Sequence, residues 1–234
     1  MEIFGHSIYY FITYMLTNLF LLAQILSFIV CIFLYKTLKS TELRFFLPFL
    51  LLTIFVELLG SWYVSHGIRN YLMYNVFTAF EFIFYSFLFY RHFKIAGFKK
   101  FALFFIPFYI LCVTVNVSFI QGPNNFHTYT FLLGSFFIVT FCCLFFYESV
   151  LPDYLDNALT KQPFFWVCTG LLLFYLGSVI INALFEYLRS FDMQEEGKRI
   201  YGIINQSLNV VLYSAFIFAF LLCRKNSKTY SLQS

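Results

Sequence analysis

Long apolar runs separated by short polar breaks dominate this chain. The runs are too long for strands and too evenly apolar for helices that show one face to water. A helix needs about 20 mainly apolar residues to cross the hydrocarbon core of a bilayer. Seven segments meet that requirement: about 11–35, 44–65, 71–93, 100–120, 126–147, 164–187 and 200–223. The breaks between them read as turns, and residues 153–160 of the fifth break read as a short interfacial helix capped by Asp153. A membrane barrel would alternate apolar and polar positions over segments about half as long, and no such alternation is present. The expectation is an all-α, polytopic membrane protein: a single seven-transmembrane-helix bundle over residues 1–234, ending in a short cytoplasmic tail at 224–234. Pro107 falls inside the fourth segment, where its missing amide and ring clash predict a kink. Pro163 opens the sixth, where its fixed φ is tolerated.

Composition excludes a water-soluble alternative. Charged residues make up 11% of the chain, against about 25% in soluble domains. The 37 Phe exceed what the interior of a globule of this size can hide, so the solvent itself must be apolar. A net charge of +4 is spread over short loops without a basic run, which argues against a nucleic-acid partner and leaves the lipid bilayer as the first one. Residues 1–7 carry no Lys or Arg and no small-residue cleavage site follows, so the first helix is expected to stay as an anchor. Cys31, Cys112, Cys142, Cys143, Cys168 and Cys223 all fall in or at the ends of apolar runs with no CxxC pair. They read as small buried hydrophobes.

Basic residues concentrate in alternate loops: Lys36, Lys39 and Arg44; Arg91, Lys94, Lys99 and Lys100; Lys161; and Arg224, Lys225 and Lys228. The opposite set holds only Arg69, Arg189, Lys198 and Arg199. Positive loops face the cytoplasm, so the N-terminus is expected outside and the C-terminus inside. The loop after the fifth helix fits least well, with Lys161 against Glu148, Asp153 and Asp156.

Within the spans the polar residues are few and ordered. Charged groups inside a membrane usually face a bundle interior or a wet cavity. Only two acids lie well inside a span, Glu57 in the second and Glu81 in the third. They stand about 12 Å and about 15 Å from the outer ends of their helices at 1.5 Å per residue. Similar depth on consecutive antiparallel helices makes them neighbours, and two close carboxylates would share a proton because like charges resist joint ionisation. Ser178, Asn182 and Glu186 share one face of the sixth helix, and Asn205, Asn209 and Tyr213 share one face of the seventh. Asn75 and Thr78 add to the third helix, Ser61 and Ser65 to the second, Thr114 and Asn116 to the fourth. Nearly all lie in the outer half, whereas the inner halves read as Phe, Leu, Ile and Val. The expected site is a water-accessible pocket opening outward between helices 2, 3, 6 and 7, lined by Glu57, Asn75, Glu81, Asn182, Glu186, Asn205 and Asn209. The alternative is that these groups bond across helices and fix packing. Tyr74, Tyr85, Tyr175 and Tyr213 are further candidates for a lining.

Several chemistries lack their residues. No Lys lies between Arg199 and Arg224, so a retinal Schiff base has no partner. His6, His66, His92 and His127 sit at helix ends or in loops, unlike the intramembrane histidines of ceramidase-type zinc hydrolases. No Gly-rich phosphate loop, GxSxG or HExxH occurs, so no catalytic residue, cofactor or metal is expected. Glu81-x-x-x-Tyr85-Ser86 echoes Asn209-x-x-x-Tyr213-Ser214, as parallel repeats around a linking fourth helix would. The Pro-Gln signature of small sugar transporters is nonetheless missing.

The stretch Phe55-Val-Glu57-Leu-Leu-Gly60, with Tyr71-Leu-Met-Tyr74-Asn75 and Phe80-Glu81-Phe82-Ile-Phe-Tyr85, resembles uncharacterised seven-helix membrane proteins of Bacteroidota-type bacteria. It is loosely similar to the seven-helix sensory segments of bacterial histidine kinases. The resemblance implies a bacterial cytoplasmic membrane and little specific chemistry. The functional expectation is a membrane-embedded sensory or regulatory module that takes a small molecule from outside. With so short a tail it would signal through a separate cytoplasmic-side protein, at the basic loops 36–44 and 91–100. A small proton-coupled transporter using Glu57 and Glu81 is the alternative, and an intramembrane enzyme a remote one.

Overall fold

A computed structural model describes residues 2–152, 158–190 and 193–233, and of these the side chains other than those of 2–14, 17, 186, 188–190, 194–196 and 228–233. The chain is all-helical, with no strand among the described residues. Seven long helices follow one another: α1 (Glu2–Phe33), α2 (Phe46–Ser65), α3 (Tyr71–His92), α4 (Ala96–Val115), α5 (Thr128–Val150), α6 (Pro163–Ser190) and α7 (Gln194–Gln233). Among the described residues, seven helical stretches are long and apolar enough to cross a membrane, from Asn18–Leu38 to Gly197–Ser227. The chain is a membrane-embedded seven-helix protein.

Segment ends differ from the sequence reading where local hydrogen bonding extends or stops a helix. The apolar run at the N-terminus continues past Phe33 as a turn at Tyr35–Leu38, followed by a 3₁₀ turn at Glu42–Phe45. The Thr41 side chain caps that turn by accepting from the Leu43 N–H at 3.3 Å. Beyond Cys223 the residues read as a separate tail continue α7 as helix to Gln233. Its Asn226 Nδ2 donates to the Lys161 carbonyl at 2.9 Å, tying that extension to the α5–α6 connection. Residues 153–157, which carry most of the expected interfacial helix and its Asp153 cap, lie outside the described residues. The Leu159–Lys161 stretch that follows is a single 3₁₀ turn. Pro107 stands inside α4, which closes with a π-helical turn at Asn116–Ile120, its Gln121 N–H reaching the Asn116 carbonyl at 2.9 Å.

Each helix packs on its sequence neighbour, and α7 closes the ring by packing along α1; α3 also touches α5. The turns α2–α3, α4–α5 and α6–α7 lie at one end of the bundle (the α2–α3 face), and α1–α2, α3–α4 and α5–α6 at the other (the α3–α4 face). The closest pair is α6 and α7. Gly170 faces Ala215 and Gly177 faces Leu208, and a Cβ on either glycine would come within 2.7 Å of the other helix. The peripheral helix is α4, with 11% of its apolar stretch buried against 44% for α3. Leu103, Phe104 and Leu111 on α4 and Leu19, Leu22 and Leu26 on α1 are exposed, which suits contact with hydrocarbon and not with water.

The core in the half towards the α3–α4 face is aromatic. Phe49 stacks on Phe84 at 4.0 Å between ring centres, and Phe46 meets Phe84, Phe216 and Phe220 edge-on. Phe89 joins Phe141 and Phe164 across three helices. Offset and edge-on arrangements of this kind exceed simple area burial by about 0.5–1.5 kcal/mol per pair. Many hydroxyls in the spans return to the carbonyl four residues back, as Thr53, Ser135, Thr140, Ser149 and Thr169 do, and so are satisfied within their own helices.

Candidate functional site

The site grows from one face of α3. Tyr74, Thr78, Glu81 and Tyr85 fall at i, i+4, i+7 and i+11, so their side chains share a side of the helix. On α2, Glu57, Gly60, Ser61 and Val64 repeat that spacing. The two faces meet where the Tyr74 hydroxyl donates to Glu57 Oε2 at 3.3 Å. That is longer than the about 2.5–3.0 Å of a strong O–H···O bond. Gly60 allows the approach, since a Cβ there would collide with the Tyr74 hydroxyl oxygen. Above this contact, towards the α2–α3 face, a vestibule of ≈ 330 Å³ is lined by Gly60, Ser61, Val64, Ser65, Asn70 and Tyr74.

Below it, Glu81 is half-buried and lies within electrostatic reach of Glu57. Four tyrosines from four helices stand within the same reach of Glu81: Tyr85 on α3, Tyr109 on α4, Tyr175 on α6 and Tyr213 on α7. Tyr85 and Tyr175 meet edge-on at 6.1 Å between ring centres. Phenols are the apolar group best suited to face a membrane carboxylate, because each carries one donor on a ring that packs. Glu81 lines a cavity of ≈ 10 Å³ with Thr78, Tyr109, Gly134, Ser135 and Tyr175. That volume is the scale of one water. Gly134 makes room for Tyr109, whose ring atoms would sit 3.1 Å from a Cβ at that position. Immediately beyond the cluster the Phe46, Phe49, Phe84, Phe216 and Phe220 rings close the bundle.

The expected lining residues divide between this cluster and other places. Glu57 and Glu81 lie within electrostatic reach of each other. Asn75 is buried, and both halves of its amide are occupied: Nδ2 donates to the Asn125 carbonyl at 2.8 Å and Oδ1 accepts from the His127 N–H at 2.9 Å. It clamps the α4–α5 turn onto α3. Asn182 and Asn209 each donate to a carbonyl one turn back, Ser178 at 2.7 Å and Asn205 at 2.9 Å. Asn182 also bonds the Tyr201 phenol, linking α6 to α7. Asn182, Asn205 and Asn209 line neither the vestibule nor the small cavity. Glu186 is on α6, and its side chain is outside the described ones.

Two contributors escaped the sequence reading. Tyr109 was hidden among the many aromatic residues of the fourth segment, and only the geometry of Gly134 opposite reveals its place. Glu148, assigned above to a loop, is buried in the last turn of α5. Its Oε1 accepts the Lys94 N–H at 2.8 Å and the Ile95 N–H as well, so the carboxylate holds the connection that leads into α4. A cavity of ≈ 20 Å³ beside it is lined by His92, Lys94, Phe145, Ser149 and Gln162, and the His92 ring stacks on Phe164 at 3.9 Å. At the opposite face, His127 Nε2 pairs with the Gly122 carbonyl at 2.8 Å, and His66 Nδ1 lies 2.9 Å from the Trp62 carbonyl. No group of three His, Cys, Asp or Glu side chains is placed to hold a metal among the described residues. Comparison with protein-family models, with curated proteins and with solved structures finds no match.

Proposed function

We propose that this chain is a membrane-embedded sensory or regulatory module whose input site is the Glu57–Glu81 pair beneath the vestibule. The reading rests on one observation. An open space at the α2–α3 face is bounded by Tyr74, whose hydroxyl donates to Glu57, and within electrostatic reach of Glu57 lies a second carboxylate ringed by tyrosines, next to a packed aromatic core. With the N-terminus outside, as the distribution of basic loops favours, that face is the outer one. A proton or a small polar molecule then reaches the acids from outside. A change of charge in a half-buried site is large on the scale of helix packing, since a charged residue at mid-membrane costs about 2.5–3.5 kcal/mol by insertion measurements. The signal passes as a shift of α3 against α2 and α6. It is read by a separate protein at the basic loops around Lys39 and Lys94, in the cytoplasmic membrane of a bacterium, as the resemblance implies.

The test is affinity purification of the tagged chain from its native membrane with cross-linking. A signalling protein cross-linked reproducibly at Lys39 or Lys94 is the expected result, and its absence from intact protein contradicts the reading. A proton-coupled transporter is the second reading, favoured by the electrostatic reach between the two carboxylates. It requires that Glu57→Gln or Glu81→Gln abolish proton-coupled uptake into vesicles while the protein still folds. Normal uptake in both variants removes it.

A further inference from the structure

The opposite side of the α2–α3 pair carries a second feature. The end of α2 is fixed by paired backbone bonds: Gly67 N–H to the Val64 carbonyl at 3.1 Å and Ile68 N–H to the Tyr63 carbonyl at 2.9 Å, with Gly67 at φ 69°. This is the Schellman closure, in which a glycine takes the left-handed conformation and the residue after it packs on the third residue from the helix end. Here those two positions are Ile68 and Tyr63, which both line the groove beside the turn. The closure aims the next residue, Arg69, over the mouth of an apolar groove of ≈ 660 Å³ between α2 and α3. The groove is separate from the vestibule. Its floor and walls include Leu52 and Val56 of α2 and Leu72, Val76 and Phe80 of α3.

Two dimensions identify its occupant. The volume falls within the roughly 300–1,000 Å³ typical of small-ligand sites. Its length along α2, from Leu52 to Tyr63, is about 16 Å at 1.5 Å per residue, which matches one leaflet of a hydrocarbon core about 30 Å thick. The groove therefore runs the depth of one leaflet, with the guanidinium at its polar edge. Arg69 is exposed, and no described residue gives it a hydrogen bond or an ion pair. A guanidinium so placed presents a planar fork of donors matched to a phosphate or carboxylate.

We infer that the α2–α3 groove binds one anionic phospholipid of the leaflet at the α2–α3 face, its acyl chain along Leu52, Val56 and Val76 and its phosphate on Arg69. The site stands on the geometry of the groove and does not depend on the sensory reading.

Native mass spectrometry of the full chain, with equimolar phosphatidylglycerol and phosphatidylcholine of the same chain length, tests it. Wild-type protein is expected to retain phosphatidylglycerol about fivefold over phosphatidylcholine, the share of one basic residue near an anionic surface. Arg69→Gln, in an exposed turn, should bring that ratio close to one. Val76→Trp, at an exposed position that fills the groove, should lower retention of both lipids. Equal retention of the two lipids by wild type, or an undiminished preference in Arg69→Gln, overturns the head-group assignment. Unchanged retention in Val76→Trp overturns the groove as the place of binding. Circular dichroism of each variant supplies the control for folding.

Discussion

Asn75 is where the pocket and clamp readings of a membrane asparagine separate most sharply. Asn75→Ala removes a donor from the Asn125 carbonyl and an acceptor from the His127 N–H. The two losses are unequal. Asn125 is exposed, so water can replace the lost donor, and a membrane-protein side-chain bond of that kind averages about 0.6 kcal/mol. His127 is buried at 3% exposure, so its N–H is left without a partner, at about 1–3 kcal/mol. The expected destabilisation is about 1.5–3.5 kcal/mol, measured by reversible unfolding in mixed micelles with increasing sodium dodecyl sulfate. Amide exchange gives the local readout: His127 N–H should lose its protection, while amides in the middle of α6 keep theirs. A stability change within the about ±0.5 kcal/mol of a neutral surface substitution, together with unchanged protection at His127, would refute the clamp.

Other substitutions probe the remaining supports. Gly60→Ala places a methyl against the Tyr74 hydroxyl and should cost about 1–3 kcal/mol, as overpacking does. The cost should fall in a Tyr74→Phe background, and an unchanged cost in that double variant would show that the clash lies elsewhere. Glu148→Ala removes the acceptor of the two amides that lead into α4 and should speed amide exchange at Lys94 and Ile95, with a loss of about 3–6 kcal/mol for two bonds to a carboxylate. Unchanged exchange at those two amides counts against that role. Ser61→Cys, facing the vestibule, should react with a membrane-impermeant thiol reagent, and Ser86→Cys, buried beside the aromatic layer, should not; the reverse pattern contradicts the placement of the vestibule.

The seven helices were legible because the hydrophobic pattern sets them by length alone. Glu57 and Glu81 were legible as isolated acids in apolar runs, but the face Tyr74, Thr78, Glu81 and Tyr85 was not separated from Asn75, which the sequence set beside Thr78 and Glu81 on the same helix. What the pattern does not carry is which polar group faces which helix. Asn182 and Asn209 share spacing with their helical neighbours in the sequence, yet Asn209 bonds one turn back along its own helix, whereas Asn182 does so and also reaches Tyr201 of α7. Asn75 turns to the α4–α5 connection, 50 residues away, and that partner depends on how the turn folds. Glu148 lies at the edge of its apolar run, where sequence places a residue equally well in helix or loop. Its burial follows from the backbone amides of Lys94 and Ile95, which no periodicity reports.

On the proposed function, the Glu57–Glu81 pair communicates with the aqueous phase at the α2–α3 face and with no other. Infrared difference spectroscopy on proteoliposomes of known orientation tests it most directly, by acidifying one side while the pH of the other is held fixed. A carboxyl absorbance change is expected on acidifying the α2–α3 side, and it should vanish in the Glu57→Gln, Glu81→Gln double variant. The same carboxyl change on acidifying the α3–α4 side, or no difference between wild type and the double variant, would contradict the account.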